Sequence, residues 1–309
     1  MKFIKFLVFA FLFLFTTLSF KVSAQAELQD FLSGQVNGNR VFLAYDHQAM
    51  LDSINVLSDS ITSLNASGLA AGSTPITNEN IHAAVDLWEA DVISAYTEYG
   101  HISSWNTSAV TDMEDLFKDS GLDVDISGWD VSNVTTMQSM FEGAEDFKQD
   151  INDWDVSNVT NMRDMFSGAE DFNQGLNDWD VSSVTNMLGM FYGAEKFNSN
   201  ISNWNVSNVT TMKEMFKYAS AFNRDISAWD VSNVTDMQGM FLMALEFNQN
   251  IGSWDVSSVT IMHRMFSALT GDDVHSFNQD LSQWCVTNIP GEPNYFGNSG
   301  TDPVWGTCP

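Results

Sequence analysis

The run Trp154-Asp155-Val156-Ser157-Asn158-Val159-Thr160-Asn161-Met162, followed by Met165, Phe166 and Ala169, decides how this chain folds, because nearly the same run returns every 25 residues. Tryptophans stand at 129, 154, 179, 204, 229 and 254. Trp105 precedes that register by 24 residues and Trp284 follows it by 30, so eight tryptophans bound seven intervals of one unit. A period between about 20 and 50 residues signals a solenoid, a propeller or an array.

One unit, 147–172, has too few apolar positions to close a core alone: Phe147, Ile151, Trp154, Val156, Val159, Met162, Met165, Phe166 and Ala169. Stacked units bury those positions against their neighbours, and stability then comes from nearest-neighbour interfaces. Met162, Met165, Phe166 and Ala169 fall at i, i+3, i+4 and i+7, which predicts a short helix over 161–168 with Thr160 as N-cap and Gly168 near its end. The preceding 150–156 reads as a short strand and turn. The expected fold is an α/β repeat solenoid, a leucine-rich-repeat-like right-handed parallel coil of short strands and short helices with an N-terminal helical cap, its strands about 4.8 Å apart.

The unit W-D-V-S-N-V-T-x-M-x-x-M-F-x-G-A-x-x-F-N resembles the BspA-like leucine-rich repeats of bacterial surface proteins, catalogued also as a lipoprotein domain of unknown function. The resemblance covers about 105–284. It implies a leucine-rich-repeat-like fold, an extracellular location and, for some members, adhesion to host or matrix proteins. It implies no catalytic residues.

Outward from the repeats, the expected organisation is a signal peptide at 1–24, a heptad-containing segment and linker at 25–74, a helical cap at 75–104, the repeats at 105–284 and a C-terminal cap at 285–309. The first 24 residues hold Lys2 and Lys5, an apolar run centred on Phe6 to Phe15, and Val22-Ser23-Ala24, the small-residue spacing of a cleavage site. No cysteine lies near that junction for lipid attachment. Cleavage before Gln25 is expected, leaving no stable membrane span. The alternative is an uncleaved anchor, for which the apolar run is shorter than the ~20 residues a span needs. From Leu43 the spacing turns to heptads, with His47, Ile54 and Ile61 at a and Met50, Leu57 and Leu64 at d, which suits either a parallel coiled-coil homo-oligomer or one amphipathic helix. Thr77, with Asn80 three residues on, predicts a helix running to about Tyr96 that closes the open end of the stack.

The formal charge is −28. Lys2, Lys5 and Lys21 are the only charges in the first 24 residues, so 25–309 carry 9 basic against 40 acidic residues, a net of −31. Such a surface repels nucleic acid and anionic lipid and attracts basic partners or divalent cations.

Three polar columns recur. Asp130, Asp155, Asp180, Asp230 and Asp255 follow tryptophan, with Asn205 interrupting, and read either as Asx-turns or as a Ca²⁺-binding column. Asn173, Asn198, Asn223, Asn248 and Asn278 follow phenylalanine and resemble the asparagine ladder of leucine-rich repeats, a buried structural role. Thr111, Thr135, Thr160, Thr185, Thr210, Thr235 and Thr260 are read as helix N-caps. The Asn-Val-Thr sequons at 133, 158, 208 and 233 read as by-products of the repeat.

An insertion at 269–276 lengthens one unit, and Gly271, Asp272, Asp273, Val274 and His275 form the candidate binding loop. Beyond Trp284 the pattern is expected to stop. Cys285 and Cys308 are the only cysteines, and a bridge between them would staple the C-terminal cap. No phosphate loop, HExxH or nucleophile elbow is present, and no resident cofactor or metal is expected beyond the Ca²⁺ reading. The expected function is a secreted or cell-surface scaffold that binds an extracellular protein or glycan, without catalysis. Its rivals are a purely structural surface-layer or spacer protein and, remotely, a glycan hydrolase, which needs two carboxylates about 5–10 Å apart in a cleft.

Overall fold

The computed structural model describes residues 35–36, 39–40, 74–268, 275–297 and 300–309. The chain divides into two units, Met1–Ala70 and Ala71–Pro309. In the first, β1 (Gln35–Val36) pairs antiparallel with β2 (Asn39–Arg40). The expected signal peptide, the expected heptads from Leu43 to Leu64 and loop residues Gly271, Asp272, Asp273 and Val274 lie outside the described residues.

The second unit starts with α1 (Ile81–Ala90) and α2 (Val92–Tyr99), then a 3-10 turn, Ile102–Ser104. The single helix expected from Thr77 is therefore two. Asp91 separates them, because its carboxylate accepts the N–H groups of Ile93 and Ser94, both at 3.2 Å, and so caps a new helix. Thr77 is not an N-cap: its own N–H donates to Asn80 Oδ1 at 2.8 Å, and regular helix begins only at Ile81. Ile81, Ala84, Val85 and Trp88 are the buried face of α1. The Trp88 ring meets Trp105, the first tryptophan of the repeats, edge-on with centroids 6.1 Å apart.

From there the 25-residue units stack in register. Isolated parallel bridges join Asp112 to Thr136, Thr136 to Asn161, Asn161 to Asn186, Asn186 to Thr211, Thr211 to Asp236 and Asp236 to Ile261. The helix expected over 161–168 is absent, and the parallel pairing expected at 150–156 lies here instead. The N–H groups of Met162, Asp164, Phe166 and Gly168 donate to the carbonyls of Asn186, Leu188, Met190 and Tyr192 on the next unit, at 2.6 to 3.0 Å. Those of Met165, Ser167 and Ala169 close local turns onto Met162, Asp164 and Phe166. Every second amide thus serves the neighbour and the others serve the turn, so the backbone is satisfied without a helix. We call 111–120, 135–144, 160–169, 185–194, 210–219, 235–244 and 260–268 the ladder segments of coils 1 to 7.

That path needs left-handed backbone at two places per coil. The first column is Asp115, Ser139, Asp164, Gly189, Glu214, Gly239 and Arg264, with φ between 51° and 60°. The second is Asp119, Gly143, Gly168, Gly193, Tyr218 and Met243, with φ between 55° and 71°. Glycine adopts such angles freely, whereas a bulky side chain pays on the order of 1–2 kcal/mol.

Inside, the repeats make columns of rings. Phe141, Phe166, Phe191, Phe216, Phe241 and Phe266 stack with centroids 5.5 to 5.7 Å apart, and Phe172, Phe197, Phe222 and Phe247 stack beside them. Each repeat tryptophan from Trp129 to Trp284 is buried, and its indole N–H donates back one coil, as in Trp154 to the Ile126 carbonyl, Trp179 to Ile151 and Trp204 to Leu176. A buried indole thereby avoids an unpaired donor while its ring fills the core.

The repeat runs past Trp284. Val286 and Ile289 are buried, Ile289 N–H bonds to Val286 O at 3.0 Å, and Asn288 reaches Ser257 O at 2.7 Å, as their counterparts do in earlier coils. Pro290 then replaces the threonine whose N–H would continue the stack. Two return segments cover the end. Residues 294–296 accept from Arg264 and Phe266, and Thr301 and Thr307 accept from Leu281 and Val286. Gly300 is obligatory here, since a Cβ would run into the carbonyls of Asn278 and Gln279. Cys285 and Cys308 are disulfide-bonded, with Cα atoms 4.0 Å apart.

Candidate functional site on the ladder face

The polar columns make turns and ties between coils. Asp130, Asp155, Asp180, Asp230 and Asp255 each accept the N–H two residues on at 3.0 to 3.1 Å, and Asn205 does the same at 3.2 Å. The Ser132 and Ser232 hydroxyls also donate to Asp130 and Asp230, which holds both carboxyls below the usual range. Among the described residues no group of three or more His, Cys, Asp or Glu is gathered as a metal site. A second Asx column, Asp125, Asp150, Asn200, Asp225, Asn250 and Asp280, closes another turn in the same manner. Its signal was in the sequence, as an Asp or Asn four residues before most tryptophans.

Asn173, Asn198, Asn223 and Asn248 each accept, through Oδ1, the backbone N–H of the next asparagine in the column, ending at Asn278, at 2.8 to 3.1 Å. These side chains are exposed or half-buried, not buried as expected, because the bond needs only the edge of the coil. The sequon asparagines form a further ladder. Asn133, Asn158, Asn208 and Asn233 donate to the carbonyls of Ser108, Ser132, Ser182 and Ser207. The threonine column is a ladder as well: Thr160 donates both its N–H and its hydroxyl to Thr135 O, at 2.9 and 3.2 Å, so it caps no helix.

His275, named with the candidate binding loop, is buried. Its Nε2–H donates to Phe241 O at 2.9 Å while Nδ1 accepts from the Phe277 N–H at 3.1 Å, and burial lowers its pKa. His275 is an anchor at one end of the insertion.

What varies from coil to coil is the side chains of the ladder segments, and they differ along the stack. Coils 1 to 3 present Asp112, Glu114, Asp115, Asp119, Glu142 and Asp164 against Lys118 and Arg163, a net of −4. Coils 4 to 7 present Lys213, Lys217 and Arg264 against Glu214 and Asp236, a net of +1. Residues 197–221 carry one acid, Glu214, and two bases, in a chain that is otherwise strongly acidic. Here Tyr192 and Tyr218 meet edge-on with centroids 5.7 Å apart. Lys217 Nζ lies 4.9 Å from the Tyr192 centroid and 5.7 Å from that of Tyr218, and it pairs with Glu214 at 3.3 Å.

Tyr218 and Met243 stand where Gly143, Gly168 and Gly193 stand in coils 2 to 4, at φ 61° and 62°. Two bulky side chains are held where the backbone favours glycine, at a local cost. Ser267 and His275 adjoin this patch, since Met243 N–H donates to Ser267 O and His275 reaches Phe241 O. Sequence reasoning missed the patch because Tyr218 and Met243 read there as ordinary variation.

The architecture defines a protein of stacked 25-residue repeats, preceded by α1 and α2 and followed by the disulfide-bonded return segments. A profile of the family described as "Mycoplasma protein of unknown function, DUF285" matches residues 90–204 and again 171–284, and the chain belongs to that family. No curated protein and no solved structure matches it.

Proposed function

We propose that the chain is a secreted or cell-surface scaffold that binds an extracellular protein or glycan through its ladder face and performs no catalysis. On this reading the repeats form a right-handed, leucine-rich-repeat-like solenoid of the BspA-like kind. The observation that carries it is the patch of Tyr192, Lys213, Lys217, Tyr218 and Met243, where Lys217 lies over both tyrosine rings and Tyr218 and Met243 take the place of Gly143 and Gly168. A spacer has no need of Tyr218 and Met243 at left-handed positions, whereas tyrosine beside a cation is a frequent composition of binding hot spots. The Asp columns support this division, because they are occupied in holding turns.

The test is an array of glycans and matrix proteins probed with the exported chain, with and without Ca²⁺, alongside the K213E/K217E variant. Specific binding that weakens in the variant supports the reading. Binding that is absent throughout, or equal in the variant, sinks it and leaves a structural spacer.

A further inference from the structure

Fourteen methionines, from Met113 to Met265, lie in the ladder segments, and thirteen of them are at most 1 % exposed. They fill inward positions, as Met162 and Met165 do in coil 3, where no reagent reaches the sulfur unless the stack opens. The fourteenth, Met243, is half-buried, in the second left-handed column of coil 6 at φ 62°. It follows Tyr218 in that column by one coil, beside the place where Lys217 lies over the Tyr192 and Tyr218 rings.

We propose that Met243 is the oxidation site of the repeats, a residue that a peroxide converts to methionine sulfoxide while the stack stays folded. Thioether oxidation follows access to the sulfur, and Met243 is the one methionine among the described residues that is not buried. A sulfoxide in the core would set a polar oxygen among the stacked rings without a partner, whereas at Met243 the same oxygen can meet water. In the reaction an Sδ lone pair attacks one peroxide oxygen, the O–O bond breaks and an S–O bond forms. The departing hydroxide takes up the proton of the transferred oxygen and leaves as water, so sulfur loses two electrons and the peroxide gains them. Cys285 and Cys308 are disulfide-bonded, so no free thiol competes for the oxidant.

The consequence for ligands rests on the reading of this patch as the binding site. Sulfoxidation turns a flexible apolar side chain into a polar, chiral one, one coil from Tyr218, so the patch loses apolar contact area and its ligand is held less tightly. The change is reversible, since sulfoxide reductases return the thioether.

Peptide mapping by mass spectrometry, after graded doses of hydrogen peroxide on the exported chain, tests the proposal. Met243 should gain one oxygen at least about tenfold faster than any other methionine between 113 and 265, because a core thioether reacts only when its coil opens. Met1 and Met50 lie outside the described residues and are read separately. Thermal melting should find the singly oxidised chain still folded. Ligands found on the array should bind it more weakly than the untreated chain, and M243L should bind them equally before and after peroxide. Oxidation spread evenly over the core methionines, or sparing Met243, overturns the proposal, as does a chain that unfolds once Met243 is oxidised. Selective oxidation with ligand binding unchanged overturns the consequence for ligands. An array on which nothing binds sinks the proposed function instead, and the peptide map alone then decides the oxidation site.

Discussion

Asn78 supplies Thr111 with the bond that each later coil receives from its predecessor. Its Oδ1 accepts the Thr111 N–H at 2.8 Å and its Nδ2 donates to the Thr111 hydroxyl at 2.8 Å, where in the next coil the Thr135 N–H finds a backbone carbonyl, Thr111 O. A single side-chain amide just before α1 thus stands in for the edge of a missing coil. Asn78→Ala should cost about 1–2 kcal/mol and speed amide exchange at 111–113 first, with 160–219 unchanged. Exchange that rises uniformly would show that the first coil is not separately sealed.

Trp179→Ala should destabilise the chain by about 3–5 kcal/mol, because it deletes a buried ring stacked on Trp204 together with the bond to Ile151 O. Trp179→Phe should cost less, since it keeps most of the ring and loses the donor. Urea unfolding of both variants checks the order, and equal losses would place the whole effect in the hydrogen bond.

The folding of the repeats was legible in part, and the limit was physical. Val156, Val159, Met162, Met165, Phe166 and Ala169 were readable as core from periodicity, and all are buried. Their spacing fits a helix as well as a chain of tight turns, and what decides between them is where the amides go. Alternate N–H groups bond to the next coil, a partner that lies 25 residues away and leaves no trace in a local window. A signal did exist in the alternation of Asp, Gly and Ser at 115, 139, 164, 189 and 239, residue types that tolerate left-handed backbone. The ladder-face patch was harder to see, since its meaning depends on which residues turn outward on adjacent coils.

Protonation should loosen the insertion. In the folded chain His275 is neutral, with Nδ1 accepting a bond that the imidazolium form would lose, and its pKa lies below its ordinary value of 6.5. The stability it contributes is therefore present above about pH 6.5 and is lost as pH falls from there through the folded-state value. Urea midpoints at pH 7.5 and 5.5 should fall for the parent and fall less for H275Q. His101, also depressed by burial at the opposite cap, contributes equally to both proteins and cancels in the comparison. An identical fall in both would remove His275 as the cause.

Reduction of Cys285–Cys308, which are separated by 23 residues in sequence, should cost roughly 3 kcal/mol and act locally. Hydrogen exchange in reductant should rise at 281–289 and 301–307 while 137–219 stays protected. Loss of protection throughout would mean that the stack melts as a single unit.

In a glycosylating host the chain should suffer. A glycan at Asn158 would occupy the Nδ2 that donates to Ser132 O at 2.8 Å, so modification and the ladder bond compete. Asn158→Gln, which removes the sequon, should raise the yield of folded protein from such a host and cost about 1 kcal/mol in protein from a non-glycosylating one. Fully glycosylated material with parental stability would contradict this.

The bridge at the penultimate residue also sets how the molecule would carry a load. Tension applied at Pro309 enters at Cys308 and passes through the sulfurs to Cys285, leaving 286–307 slack. The first bonds strained are then those of the Trp284 coil, whose unit pays out 30 residues, and each regular coil peeled after it pays out 25, about 90 Å of contour. A tether built this way gives one long step and then equal ones, and its return segments stay folded against recoil for as long as the sulfurs hold.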